Sequence, residues 1–206
     1  MLLPQLFMYG DAKKKVHGLE MWRKKVETGM RFLSALVLLC GLFLSSALGA
    51  CSVERPVMVS ILMNESHPKR ELGYEFLISF NSSQDAALAR QHYNEFFIDS
   101  RSLDCKTKEL CSEITYILVS AGISNIDIGP YQLNYRFQVL EKLGDYFDFI
   151  KSYNHACSYV EKMIARYGYG WWAIASYHSQ TKKHNYKYQE NLIKNYLKIA
   201  SNEKSR

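Results

Sequence analysis

One carboxylate in this chain directly follows an apolar run. Ile61, Leu62 and Met63 precede Glu65, and burial there would raise the pKa of the Glu65 carboxyl. A carboxyl that stays protonated can donate its proton to the bridging oxygen of a glycosidic bond, as helical glycan-cleaving enzymes require. The alternative is that Glu65 only ends its helix in solvent.

A second segment combines a turn with amide side chains. Residues 127–134 contain a Gly-Pro turn followed by alternating amide and apolar residues. The amides of Gln132 and Asn134 donate and accept hydrogen bonds at once, which suits sugar hydroxyl and N-acetyl groups. Gly129 would let the backbone come close to a ligand. Such turns are also common in ordinary loops, so both interpretations stay open.

A third segment, residues 175–179, follows an aromatic stretch. Tyr177 is in a position to reach a carboxylate or a sugar ring, and His178 comes directly after it. The alternatives are a core tyrosine whose hydroxyl is hydrogen-bonded and a surface histidine.

In their order and spacing, these three segments resemble the lytic transglycosylases with a goose-type lysozyme-like (SLT) catalytic domain. The family motifs E-S, G-L-M-Q-I-N and A-Y-N correspond to Glu65-Ser66, to residues 129–134 and to residues 175–178. The resemblance spans residues 56–185. This chain departs from the family pattern at Pro130, Tyr131, Ser176 and His178, and residues 84–121 look like an inserted helical pair.

The resemblance implies a single catalytic acid and base, Glu65, which acts on peptidoglycan glycan strands without a cofactor. Glu65 would protonate the oxygen between N-acetylmuramic acid and N-acetylglucosamine and then take the proton of the muramic 6-hydroxyl, giving a 1,6-anhydro product. The resemblance assigns substrate binding to Ser66, Gly129, Tyr131, Gln132, Asn134, Tyr177 and His178.

Three other functions remain open at this point, and one of them is a membrane-anchored regulator that contacts lipid through its basic C-terminal end. A non-catalytic envelope protein, such as an assembly partner of a secretion or conjugation machine, would use the same groove only to bind glycan. A two-carboxylate hydrolase would pair Glu65 with a second acid, for which Asp127 and Glu75 are the candidates.

The hydrophobic spacing predicts a mostly α (α+β) domain that positions these residues. A short strand is expected within residues 74–80, and helices are expected over residues 57–64, 83–97, 110–121, 156–167, 171–177 and 186–200. Because strand signals are confined to residues 74–80, we expect a lysozyme-like helical domain with at most one small hairpin.

Residues 1–50 are predicted to be a signal or anchor segment, and residues 51–206 to be the lysozyme-like transglycosylase domain. Arg23, Lys24, Lys25 and Arg31 precede an apolar run over residues 32–48, which is typical of export. The sequence Leu48-Gly49-Ala50-Cys51 resembles the bacterial lipobox, so Cys51 is expected to carry lipid. Cleavage near Ala50 and a retained anchor are the alternatives. These features predict a periplasmic lipoprotein of a bacterial envelope, held on the membrane.

Export implies an oxidising compartment, where cysteines form disulfides. Cys105, Cys111 and Cys157 are the candidates once Cys51 is set aside for lipid, which leaves one cysteine over, and the spacing does not fix their pairing. No zinc site is expected, because no C-x-x-C or H-x-x-x-H pair stands beside them.

Composition and charge exclude further classes of protein. Of the 206 residues, 48% are hydrophobic, so the chain is not intrinsically disordered. The net charge of +6 falls to +2 beyond residue 50 (19 cations, 17 anions), which argues against a nucleic-acid binder. From Lys182 onward, 7 cations face only Glu190 and Glu203. This basic end is either a solvated helix face or a contact for an anionic surface.

Overall fold

The computed structural model describes residues 51–204. The predicted signal or anchor segment, residues 1–50, lies outside the described residues, and so does the apolar run within it. Among the helices of the described part, none is both long and apolar enough to cross a bilayer.

The described chain is mostly helical, as predicted. Its α-helices are α1 (Arg55–Glu65), α2 (Ser83–Tyr93), α3 (Lys108–Ser120), α4 (Leu143–Tyr146), α5 (Phe149–Tyr167), α6 (Trp171–Ala175) and α7 (Lys182–Lys204). The predicted helix that begins at Ser83 ends earlier than expected, at Tyr93, and continues as a 3₁₀ turn over Asn94–Phe96. Helix α7 extends beyond its predicted span, residues 186–200, in both directions.

The β structure is larger than predicted. Strands β1 (Leu77–Phe80), β2 (Ser102–Asp104), β3 (Ile126–Ile128) and β4 (Leu133–Asn134) form one antiparallel sheet in the order β2-β1-β3-β4. The expectation of at most one small hairpin is therefore wrong. Strands of two to four residues are too short to show an alternating pattern, so only β1 left a signal in the sequence.

Local capping explains where the helices begin and end. The side chains of Ser82, Thr107 and Asp148 accept hydrogen bonds from backbone N–H groups of the first turns of α2, α3 and α5. Helix α5 ends at Tyr167 and is followed by Gly168, whose φ is +81°, a backbone conformation that glycine adopts without strain. The sequence predicted this helix end.

Helix α7 connects the parts of the molecule that carry the site. It packs against both α1 and α6, and α6 in turn packs against α5. Leu192 of α7 is fully buried together with Met58 and Ile61 of α1. This packing fixes the C-terminal end of α1, where Glu65 lies, against the side chains of α7.

The described chain contains two disulfides. Cys105 is bonded to Cys111, and Cys51 is bonded to Cys157. Of the three candidate cysteines, Cys157 is therefore the one that does not pair within the set, and its partner is Cys51. Because the Cys51 sulfur is in the disulfide, it does not carry a lipid in this form of the protein, and the prediction of lipid at Cys51 is corrected. Cleavage near Ala50 and a retained anchor stay as predictions.

Candidate active site

Glu65 lies on the wall of a cleft of about 490 Å³. The cleft is formed where the end of α1 meets β3, β4 and the turn after α6. The residues that line it are Glu65, Asn81, Asn125, Asp127, Gln132, Asn134, Phe137, Gln138, Tyr159, Ser176, Tyr177, His178, Ser179, Gln180 and His184. All three predicted segments therefore contribute to one cleft, although they are far apart in the chain.

Glu65 is half-buried in the cleft wall, and desolvation by the surrounding protein atoms raises the pKa of its carboxyl from 4.5 to about 8. A hydrogen bond from Tyr188 opposes the rise, and the negative charge of Asp127 adds to it. At neutral pH the carboxyl is therefore protonated in the folded protein. The alternative in which Glu65 ends its helix in solvent is excluded.

This raised pKa predicts a specific dependence of stability on pH. Below pH 4.5 the Glu65 carboxyl is protonated in both the folded and unfolded states. As the pH rises from 4.5 to about 8, the unfolded chain loses this proton first, so the folded state loses up to about 5 kcal/mol of stability. We expect urea unfolding to show that Glu65→Gln gains stability over wild type as the pH approaches 8. A difference between the two proteins that stays constant from about pH 5 to about pH 8 contradicts the raised pKa.

Tyr188 is the hydrogen-bond partner of this carboxyl. Its hydroxyl donates to Glu65 Oε1 at 2.5 Å, and its ring stacks on the His178 ring with centroids 4.7 Å apart and planes 4° apart. Tyr188 was not predicted from the sequence. The available signal was its position four residues before Leu192, which places both on the buried face of α7.

Tyr177 lines the cleft, but its hydroxyl has a different partner from the one expected. The hydroxyl donates to the backbone carbonyl of Tyr131 at 2.6 Å, and the side chain is buried. Tyr177 therefore ties the turn after α6 to the segment between β3 and β4. The hydrogen bond to the carboxylate, which was expected of Tyr177, is made by Tyr188.

His178 lies at the mouth of the cleft. Partial burial of its ring lowers its pKa, and the Asp127 carboxylate opposes this effect. The imidazole is therefore neutral at neutral pH, so it offers one hydrogen-bond donor and one acceptor to a ligand.

Gln132 and Asn134 both line the cleft, as expected. Gln132 Nε2 donates to the Gly129 carbonyl at 2.8 Å. Asn134 Nδ2 donates to Asp127 Oδ1 at 2.7 Å and to Asn125 Oδ1 at 3.1 Å. These bonds fix the orientation of both amides in the cleft wall.

Three residues that were assigned to substrate binding do not line the cleft. Ser66 ends α1, where its hydroxyl donates to the Leu62 carbonyl at 2.7 Å. Tyr131 is 2% exposed and packs in the core against Phe149 and Tyr153.

Gly129 is the third of these residues, and its role is in the backbone. Its φ is +75°, and a Cβ at this position would lie 2.0 Å from the carbonyl oxygen of Tyr146. The glycine is thus required by close approach of the α4 backbone and not by a ligand, which corrects the expectation for Gly129.

The two candidates for a second carboxylate have different positions. Glu75 Oε1 accepts the backbone N–H of Phe149 at 2.6 Å, so Glu75 caps the start of α5. Asp127 lines the cleft together with Glu65. Only Asp127 is placed to act on the same ligand.

One further residue of the cleft points to a ligand. Gln138 is 5% exposed and lines the cleft, and its Oε1 has no hydrogen-bond partner among the described residues. A buried amide oxygen without a donor is costly, so a ligand N–H or O–H group would be bound favourably here.

Metal-ligand spacing occurs among the described residues at Cys51, Cys157 and Glu161. Both sulfurs of this group are in the disulfide, so the group does not offer thiolate ligands.

No protein-family model, curated protein or solved structure matches this chain.

Proposed function

We propose that this protein is a lytic transglycosylase that cleaves the bond between N-acetylmuramic acid and N-acetylglucosamine in peptidoglycan. The observation that carries the proposal is the Glu65 carboxyl half-buried in the cleft wall, where desolvation raises its pKa to about 8 and keeps it protonated at neutral pH. It lies in a cleft rich in amide groups. A protonated acid beside a polar cleft is the arrangement that protonates a leaving glycosidic oxygen.

In the proposed reaction, Glu65 gives its proton to the bridging oxygen as the bond to the anomeric carbon breaks. The resulting carboxylate then takes the proton of the muramic 6-hydroxyl, which closes on the anomeric carbon. Tyr188 donates a hydrogen bond to Glu65 and stabilises the carboxylate between these two steps. Acid catalysis and base catalysis by one group need no second proton carrier.

The cleft walls support a sugar ligand. The amides of Asn81, Gln132 and Gln138 and the imidazole of His178 line the cleft, and such groups hydrogen-bond hydroxyl and N-acetyl groups. Phe137 is 70% exposed beside them. An exposed aromatic ring at the edge of a polar cleft suits the apolar face of a sugar ring.

We propose that the protein is exported to the periplasm of a bacterial envelope, where it acts on glycan strands and has a secretion machine as its partner. The two disulfides support an oxidising compartment. We also propose that residues 1–50 are retained as an anchor that attaches the protein to the membrane. A nucleic-acid partner is not proposed.

Product analysis tests the proposed function. The protein is incubated with purified sacculi, and soluble muropeptides are separated and weighed by mass spectrometry. We expect products lighter than ordinary reducing-end muropeptides by the mass of one water molecule, because the 6-hydroxyl replaces water. Ordinary reducing ends would identify a hydrolase instead. Intact sacculi that still bind the protein in a pelleting assay would identify a non-catalytic glycan-binding protein.

A further inference from the structure

Positive charge is concentrated on α7. Residues 182–204 contain six lysines and two glutamates, a net charge of +4. Residues 51–181 contain 12 cations and 15 anions, a net charge of −3. The last helix therefore carries the whole positive excess of the described chain.

Four lysines of α7 form one stripe on its exposed face, which we call the lysine stripe: Lys183, Lys187, Lys194 and Lys198. All four are exposed, and at about 100° per residue they lie within an arc of about 60°. The fully buried Leu192 projects on the opposite side of the helix. At 1.5 Å per residue the stripe is about 22 Å long, so it presents a row of ammonium groups to the outside.

The lysine stripe has no counter-ions within the described part of the chain. Each ion pair among the described residues joins groups that lie outside α7. Glu190 lies between the first and the last lysine of the stripe, but it is not in an ion pair with any of them. A row of unpaired ammonium groups creates a positive potential that attracts an anionic surface.

Exposed apolar side chains border the lysine stripe. Tyr186 is 56% exposed and Leu197 is 60% exposed, and the helical repeat places both along the same edge of the stripe. The Tyr186 ring packs edge-on against Trp172, with centroids 5.6 Å apart. Lysines beside exposed aromatic and leucine side chains are typical of helices that lie on a membrane surface, where the apolar groups enter the interface.

The described chain begins beside the same helix. The Glu54 carboxylate accepts hydrogen bonds from the hydroxyl of Tyr169 at 3.1 Å and from that of Tyr196, on α7, at 3.3 Å. Cys51 is three residues before Glu54. The anchor proposed for residues 1–50 would therefore be joined to the described chain close to α7.

We propose that the lysine stripe binds the surface of a membrane that contains anionic phospholipids. The lysines contact the headgroups, and Tyr186 and Leu197 contact the apolar boundary beneath them. Wall glycan also carries carboxylates, but the apolar border and the position of Cys51 favour a membrane. A second copy of the chain is disfavoured, because two lysine stripes would repel each other. The inference goes beyond the proposed function and does not depend on cleavage of glycan.

Lysine acylation tests the proposal in the full chain. The protein is added to preformed vesicles, either of equal parts phosphatidylglycerol and phosphatidylcholine or of phosphatidylcholine alone, and is treated briefly with an acylating reagent. Peptide mass spectrometry then gives the acylation rate of each lysine. We expect the four stripe lysines to react about fivefold more slowly on the anionic vesicles, the factor that one lysine contributes at such a surface. High salt should restore their rates.

Two lysines outside α7 are internal controls. Lys142 and Lys162 are also exposed, and they should react at the same rate on both kinds of vesicle. Equal rates for the stripe lysines on the two kinds of vesicle overturn the proposal. Slowing of Lys142 and Lys162 to the same extent as the stripe also overturns it, because the contact would not be specific to α7.

A matched pair of double variants tests the role of the charge. Lys187→Gln with Lys194→Gln removes two charges from the stripe, and Lys142→Gln with Lys162→Gln removes two charges elsewhere. The slowing at Lys183 should be lost in the first variant and kept in the second. Equal slowing at Lys183 in both variants overturns the proposal.

Purified sacculi provide the last comparison. Slowing of the stripe lysines on sacculi but not on vesicles overturns the proposal and identifies wall glycan as the partner. A wild type that releases no muropeptides while its stripe lysines are slowed on anionic vesicles contradicts only the proposed function. The two proposals therefore fail separately.

Discussion

Glu65→Gln should abolish the release of muropeptides while leaving the fold intact. Glutamine keeps the shape of the protonated acid, and its amide oxygen can still accept a hydrogen bond from the Tyr188 hydroxyl. It has no acidic proton to donate to the leaving oxygen. General acid catalysis contributes about 10²- to 10⁴-fold in rate, so we expect a loss of at least this size. The measurement is the initial rate of release from sacculi, together with the circular dichroism spectrum of the variant.

Glu190→Gln is the control for this experiment. Glu190 lies on α7, two residues after Tyr188, and is exposed, so its substitution should leave the rate near that of wild type. In wild type the rate should also fall as the pH rises through about 8, where Glu65 ionises. A Glu65→Gln variant with the activity of wild type would show that the reaction, if present, uses another acid.

Removal of the Cys51–Cys157 disulfide should cause the largest loss of stability among the cysteine variants. The two cysteines are 106 residues apart, and a cross-link over a loop of this length restricts the unfolded chain by about 4 to 5 kcal/mol. The Cys105–Cys111 cross-link spans 6 residues, for which the same relation gives about 2 kcal/mol. Replacing each pair by alanine and measuring urea unfolding compares the two.

Both cysteines of the Cys105–Cys111 pair are buried, whereas in the other pair Cys157 is buried and Cys51 is half-buried. Equal losses of unfolding free energy in both variants would contradict the dependence on loop length. Alkylation of the denatured, unreduced protein should leave Cys51, Cys105, Cys111 and Cys157 unmodified, because all four are in disulfides. A reactive Cys157 thiol would instead indicate that Cys51 has another modification, such as lipid.

The helices of this protein were largely predictable because helix signals are local. The apolar spacing around Ile114 and Leu118 and the glycines after α3 and α5 are contained within short windows of the chain. The sheet was not predictable, since β2 and β4 have three and two residues and exist only through pairing with distant strands. The same limitation led to the single-hairpin prediction.

The location of the candidate site was predictable from the sequence, but the roles of several of its residues were predicted wrongly. Glu65, Gln132, Asn134, Tyr177 and His178 do line one cleft. Gly129 and Tyr131 belong to the same segment, but the first serves a close backbone approach and the second serves the core. A motif identifies a stretch of chain, whereas the direction of each side chain depends on what packs against that stretch.

By itself the sequence determined that a carboxylate follows an apolar helix and that amides follow a tight turn, because both are properties of neighbouring residues. Only the tertiary structure decided that Tyr188 hydrogen-bonds Glu65 across 123 residues, that Cys51 pairs with Cys157, and that Asp127 shares the cleft with Glu65. The physical reason is that a pKa, a disulfide or a pair of carboxylates depends on distance in space, which helix packing and strand register fix.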